Sequence, residues 1–132
     1  MARANLAQIT PFMHVADMNS ALDWFELIGF QALFRDANYA YVSRDGIGVR
    51  VLESRGEDGA PHVPHRGFAY YIDVHDVDAI HAEVAAKLAA AGVEVHGPMN
   101  QEYRQRELMI RAPDGNVFVF GQGISEGDAH GG

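Results

Sequence analysis

The chain carries seven histidines, 18 acidic side chains and no cysteine, and these bound its chemistry. Without thiols there is no thiolate nucleophile, no disulfide framework, no iron–sulfur cluster and no zinc–thiolate site. No Ser/His/Asp order reads as a nucleophilic triad, and no glycine loop has phosphate-cradling spacing. Gly46-Ile47-Gly48 is a strand turn, and Pro113-Asp114-Gly115-Asn116 is a reverse turn whose Asp114 is not a catalytic acid. His62 and His65 form a His-x-x-His without further donors at matching spacing, which makes a poor metal site. His75 and His81 do not share a helix face, and His96 and His130 carry no signal.

The remaining candidates are set by strand alternation. Thr10, Phe12 and His14 alternate onto one strand face, as do Ala69, Tyr71 and Asp73. These faces either wall a cleft or pack a closed core, and the same choice applies to Val117 and Val119. Tyr39 and Tyr41 point the same way, with Phe34 as a weaker candidate; aromatic rungs serve a groove or ordinary packing equally well. His14 either donates to a ligand and titrates or is a hydrogen-bonded, partly buried residue. Glu107, Met109 and Arg111 alternate after Tyr103, Arg104 and Arg106, answering a polar ligand, a partner subunit or a charge-protected edge. Met99 is a soft side chain suited to a groove wall.

The elements that must position these residues can be read from periodicity. A first strand spans 8–15, with Pro11 at an edge, bulge or hinge. Asp17 or Asn19 caps a helix to about Ile28, with Ala21, Leu22, Phe25 and Ile28 on one face and Gly29 as its stop. Strands follow at 30–35, 39–44 and 48–54. Residues 55–66 have no periodicity and read as a linker. A strand at 67–74, a helix capped by Asp76 through about Ala91 and stopped by Gly92, and strands at 93–96, 106–111 and 116–121 complete the pattern. The tail 123–132 has little apolar content and is expected to fray. The order strand, Asp-capped helix, Gly stop, three strands thus occurs twice, over 1–54 and 67–122. This predicts an α+β fold of two βαβββ modules curling around a cleft within one structural domain.

Composition is that of an ordinary globular domain. Of 132 residues, 48% are of the apolar set, enough for a real core. The net charge of −8 disfavours phosphate backbones, and it either draws cationic ligands toward a cleft or serves solubility alone. No run is long and apolar enough to span a membrane, and no export signal is evident, so the expected location is the cytoplasm.

Val15-Ala16-Asp17-Met18, Trp24 to Phe30, Asp73-Val74-His75-Asp76-Val77-Asp78 and Pro113 to Asn116 make the chain resemble the vicinal-oxygen-chelate superfamily of glyoxalases, extradiol dioxygenases and antibiotic-resistance proteins. The resemblance implies that metal-using members take their ligands from positions held here by Thr10, Val51, Ala69 and Val119. None of these supplies an imidazole, carboxylate or thiolate, so no metal and no cofactor are expected. The chain is most similar to the bleomycin-resistance branch, through Pro11, Gly97-Pro98 and Arg106-Glu107-Leu108. That branch implies a homodimer, with crevices between subunits binding an aromatic, cationic antibiotic without chemistry. Phe12, His14, Phe34, Tyr39, Tyr41, Val51, Ala69, Tyr71, Met99, Tyr103, Arg104, Met109 and Val119 are the expected ligand contacts. Arg104 stands where the branch has a stacking aromatic. The alternatives are a glyoxalase-like or dioxygenase-like enzyme with a displaced metal site, and a dimer with a closed cleft that serves protein interaction.

Overall fold

A computed structural model describes residues 4–63 and 66–125. His65, His130 and the tail from residue 126 lie outside the described residues. The chain runs β1 (Phe12–Val15), α1 (Met18–Leu27), β2 (Gln31–Arg35), β3 (Tyr39–Arg44), β4 (Ile47–Glu53), β5 (Ala69–Asp73), α2 (Val77–Ala90), β6 (Val95–Asn100), β7 (Gln105–Arg111) and β8 (Val117–Gly123). Four strands in the order β1-β4-β3-β2 form one sheet, and β5-β8-β7-β6 form the other. In each sheet the first strand of a βαβββ unit lies parallel to its last, and the remaining pairs are antiparallel. The two sheets do not close into a barrel.

The repeat extends to single hydrogen bonds. Asp17 accepts from the Ser20 amide at 3.1 Å and Asp76 from the Ala79 amide at 3.0 Å, each as a helix N-cap. The last strand of each unit reaches the same helix start: Glu53 accepts from Met18 N–H at 2.9 Å, and Gln122 from Val77 N–H at 2.8 Å. Both helices thereby satisfy amides that a helix leaves unpaired. The turn into that last strand also recurs. Asp45-Gly46 has φ of 52° and 79°, and Asp114-Gly115 has 61° and 78°.

Helices and sheets share one core. Met13, Val15, Ala40, Val42, Val49 and Val51 face it from the first sheet, and Tyr70, Leu108, Ile110, Phe118 and Phe120 from the second. Phe118 is its aromatic hub. Trp24, Phe25 and Tyr70 place their ring centroids 5.1, 5.6 and 5.5 Å from it. The Trp24 and Phe25 contacts are edge-to-face, a favoured geometry for aromatic pairs.

Several boundaries shift from the sequence reading. β1 begins at Phe12 rather than residue 8, because residues 4–10 pair with no strand. β6 runs through Gly97-Pro98 to Asn100 instead of ending at His96. Pro98 is tolerated there because β6 is an edge strand, and the pairing with β7 skips from His96 to Met99.

Candidate ligand-binding site

Each sheet buries one face against the helices and leaves the other without cover. Strand alternation decides which side chains stand on the open face. On the first sheet these are Phe12 and His14 from β1, Arg50 and Leu52 from β4, Tyr39 and Tyr41 from β3, and Phe34 from β2, as the cross-strand pairs Phe12–Arg50, Arg50–Tyr41, Tyr39–Leu52 and Phe34–Tyr41 require. Phe12 and Phe34 remain 52% and 55% exposed, far more than core aromatics. The Phe34 and Tyr39 rings lie 5.9 Å apart. Arg50 donates to the Tyr39 hydroxyl at 2.8 Å, and its guanidinium carbon stands 5.9 Å from the Tyr41 ring centre. His14 Nδ1 is 2.9 Å from Ser54 Oγ, so its ring is held against the sheet.

On the second sheet the open face carries Ala69, Tyr71 and Asp73 from β5, Val117, Val119 and Gly121 from β8, Glu107 and Met109 from β7, and Met99 from β6. Val119 sits between Tyr71 and Met109. Tyr71 lies across Gly121, where any Cβ would collide with its ring, and donates to Gln105 Oε1 at 3.0 Å. Tyr41 lies over Gly48 in the same manner on the first sheet. The two glycines let these tyrosines lie flat, giving both faces a low aromatic floor. Tyr103 donates to Glu107 Oε1 at 2.6 Å. Burial, then the neighbouring Glu107, push the Tyr71 hydroxyl well above the usual phenol range. The bond to Glu107 raises Tyr103 as well.

Most of the expected contact residues therefore gather on the two open faces. Val51 does not. It is fully buried, pairs with Met13 and Ala40, and faces the helices. The repeat partner of Val119 is Arg50, one residue earlier, and a shift of one residue moves a strand side chain to the opposite face. Thr10 precedes β1 and accepts from Gln8 Nε2 at 2.9 Å rather than standing on a paired strand. Arg104 occupies the β6–β7 turn at φ 66°, and among the described residues its side chain has no ion pair. Arg50 is the open-face residue that sequence counting misses; the Asp-Gly pair shared by both turns is the signal that locates it.

The resemblance implies metal positions that this register places at Thr10, Arg50, Ala69 and Val119, and those side chains do not fit a cation. Arg50 brings a permanent positive charge to the place, and the others bring one hydroxyl and two apolar side chains. Among the described residues no three His, Asp or Glu side chains converge in a way that could hold a metal ion.

A cavity of about 430 Å³ opens beside the second face, walled by Ala69 and Tyr71 together with Ile47, Gly48, Ile9 and Pro11. A second of about 320 Å³ adjoins it at Ile47 and Ile72 and reaches Asp73, His75 and Asp76.

The chain belongs to the glyoxalase/bleomycin resistance protein/dioxygenase superfamily, whose sequence profile matches residues 6–120. Similar solved structures include the bleomycin-binding protein of bleomycin-producing Streptomyces verticillus in complex with copper(II)-bleomycin. It is 23% identical, with a TM-score of 0.69 over 94% of this chain and 100% of that one. TnmS3, an antibiotic-binding protein from a Streptomyces species, is 22% identical, with a TM-score of 0.69 over 92% and 99% of the two chains. The bleomycin resistance determinant encoded on transposon Tn5 is 19% identical, with a TM-score of 0.69 over 89% and 98%. A comparison with curated protein sequences finds no match. At these identities the structural likeness carries the fold. No helix among the described residues is long and apolar enough to cross a membrane.

Proposed function

We propose that this protein binds a planar aromatic, positively charged small molecule, an antibiotic or a toxic metabolite, and sequesters it without chemical change. The observation that carries this reading is the pair of open faces. Phe12, Phe34, Tyr71 and Met99 stand exposed on the open faces, with Tyr103 in the adjoining β6–β7 turn, while the buried core lies on the helix side of the sheets. Apolar surface grouped in this way marks a binding site. The residues at the metal positions that the resemblance implies do not suit a catalytic ion, and a bleomycin-binding protein and an antibiotic-binding protein share the fold.

The working form in this reading is a homodimer in the cytoplasm. The two open faces differ in charge, with Arg50 on the first sheet and Glu107 and Asp73 on the second. The first sheet of one copy laid opposite the second sheet of another encloses an aromatic cleft between two walls of opposite charge, with room for a ligand between them. Two-fold symmetry generates that cleft twice.

Calorimetric titration of the purified chain with bleomycin-type and bicyclic aromatic antibiotics tests the role. Saturable binding at one site per chain, with sedimentation velocity giving a dimer, is expected. No binding across the panel, or a stoichiometric metal ion retained through dialysis, overturns it.

A further inference from the structure

The second open face contains a carboxylate that nothing in the fold explains. Glu107 lies in the middle of its sheet, between Met99 on β6 and Gly121 on β8. It is partly buried, and among the described residues no cationic side chain is paired with it. The two arginines on β7 itself are engaged elsewhere, and Arg104 in the β6–β7 turn forms no ion pair with it. Arg106 points to the other side of β7 and grips Asp78 at 2.9 and 3.0 Å. Arg111 stands 3.6 Å from Glu94 at the end of the strand.

What surrounds Glu107 is instead aromatic and polarisable. Tyr103 donates to it at 2.6 Å, Tyr71 spans the glycine beside it, and Met99 stands opposite. A carboxylate taken partly out of water and answered only by phenol donors keeps its negative charge uncompensated. That arrangement costs stability unless a cation arrives. Ring faces next to it add to the attraction, because a cation is drawn to an aromatic quadrupole as well as to the carboxylate.

We propose that Glu107 is the anchor for the positive charge of the bound molecule, with Tyr71, Tyr103 and Met99 forming the walls around it. This rests on the binding role proposed above and names the ligand class more closely: an ammonium or guanidinium carried next to a flat aromatic unit. Asp73, on the same face, biases the site further toward cations, while the first face presents Arg50.

The test compares two probes of one shape, naphthylmethylammonium and naphthylmethanol, titrated by calorimetry into the full chain at neutral pH. The ammonium is expected to bind the native protein about tenfold more tightly than the alcohol, the scale of a charge-assisted hydrogen bond. Glu107→Gln keeps the shape and the acceptor for Tyr103, and is expected to abolish that preference, the two probes then binding equally. Tyr103→Phe is expected to retain it. Equal binding of the two probes to the native protein overturns the proposal, as does failure of both to bind. A preference that survives in Glu107→Gln also overturns it. If that variant instead dissociates a dimer in sedimentation velocity with the preference intact, the carboxylate serves the subunit contact and the proposal falls. The wider reading fails separately. Selective ammonium binding with no antibiotic bound leaves the anchor standing and removes the sequestering role. An antibiotic held equally by native protein and Glu107→Gln does the reverse.

Discussion

The internal repeat makes two junctions between the βαβββ units equivalent, and the chain builds them differently. In one, β1 of the first unit meets the turn before β8. There Asn116 is fully buried, donates to His14 O at 3.2 Å and to Pro113 O at 2.9 Å, and accepts from Phe68 N–H at 2.9 Å. Asp114 adds a bond from Ala16 N–H at 2.9 Å. In the other, β5 of the second unit and the turn before β4 line opposite sides of a cavity. The residue matching Asn116 is Ile47, which is 45% exposed and borders both cavities. One Asp-Gly turn thus leads into an amide clamp and the other into an open groove. Turn geometry is common to both; the side chain that follows it separates a sealed contact from a vacant one.

The largest expected effect lies where the units share their core. Phe118 meets the rings of Trp24 and Phe25 from the first unit and of Tyr70 from its own. Its repeat partner is Val49, also buried but much smaller. Phe118→Ala is expected to cost about 3–5 kcal/mol of unfolding free energy in urea. Val49→Ala removes only two methyl groups and should cost about 1.5 kcal/mol. Equal losses would mean that the two units contribute symmetrically to the core, against the aromatic asymmetry seen here.

Next comes the clamp itself. Asn116→Ala removes the side-chain acceptor of Phe68 N–H and a donor to His14 O, both held by a fully buried amide. A loss of about 2–3 kcal/mol in chemical denaturation is expected. Amide exchange should rise at Phe68 more than in α2. A loss below about 0.5 kcal/mol, the range of ordinary surface substitutions, would show that the junction is held by packing alone.

These comparisons also show what the sequence makes legible. Helices, caps and turns are readable because their signals are local: Asp17 and Asp76 cap as their positions imply, and Gly29 and Gly92 take the left-handed conformation that ends each helix. The gathering of Phe12, Tyr39, Tyr41 and Tyr71 on open faces follows from period-two alternation. Register between halves is not local, and there the count places Val51 where Arg50 belongs. Five residues on from Asp45 and from Asp114 stand Arg50 and Val119, so the missing anchor was the repeated Asp-Gly pair. The isolation of Glu107 could not be read at all, because it depends on where Arg106 and Arg111 find their partners.

A third contrast separates the helix starts by pH. Glu53 and Gln122 hold equivalent amides, but only Glu53 titrates. The Met18 N–H bond, then Arg55, hold its carboxyl below the usual range. A group whose folded pKa is lowered stabilises the native state above its unfolded pKa and loses that contribution as pH falls through the folded value. Acidification below about pH 4.5 should therefore loosen the first turn of α1 before that of α2. Hydrogen exchange at Met18 and Val77 reads the difference. Glu53→Gln should remove the pH dependence at Met18, and identical acid responses at both helices would sink the contrast.

The smallest expected effect bears on why the second junction is open. Either Ile47 is the wrong side chain to close it, or the strands stand too far apart for any side chain to do so. Cavities of about 430 and 320 Å³ meeting at Ile47 favour the second account. An amide installed there would keep its water instead of reaching the β5 backbone. Ile47→Asn is therefore expected to change stability by less than about 0.5 kcal/mol, as for an exposed site. It should also weaken the binding of aromatic probes if the groove contributes apolar wall. A gain of about 1 kcal/mol, the value of a new buried hydrogen bond, would mean that one side chain suffices to seal the junction. The vacancy would then reflect the residue chosen and not the spacing of the units.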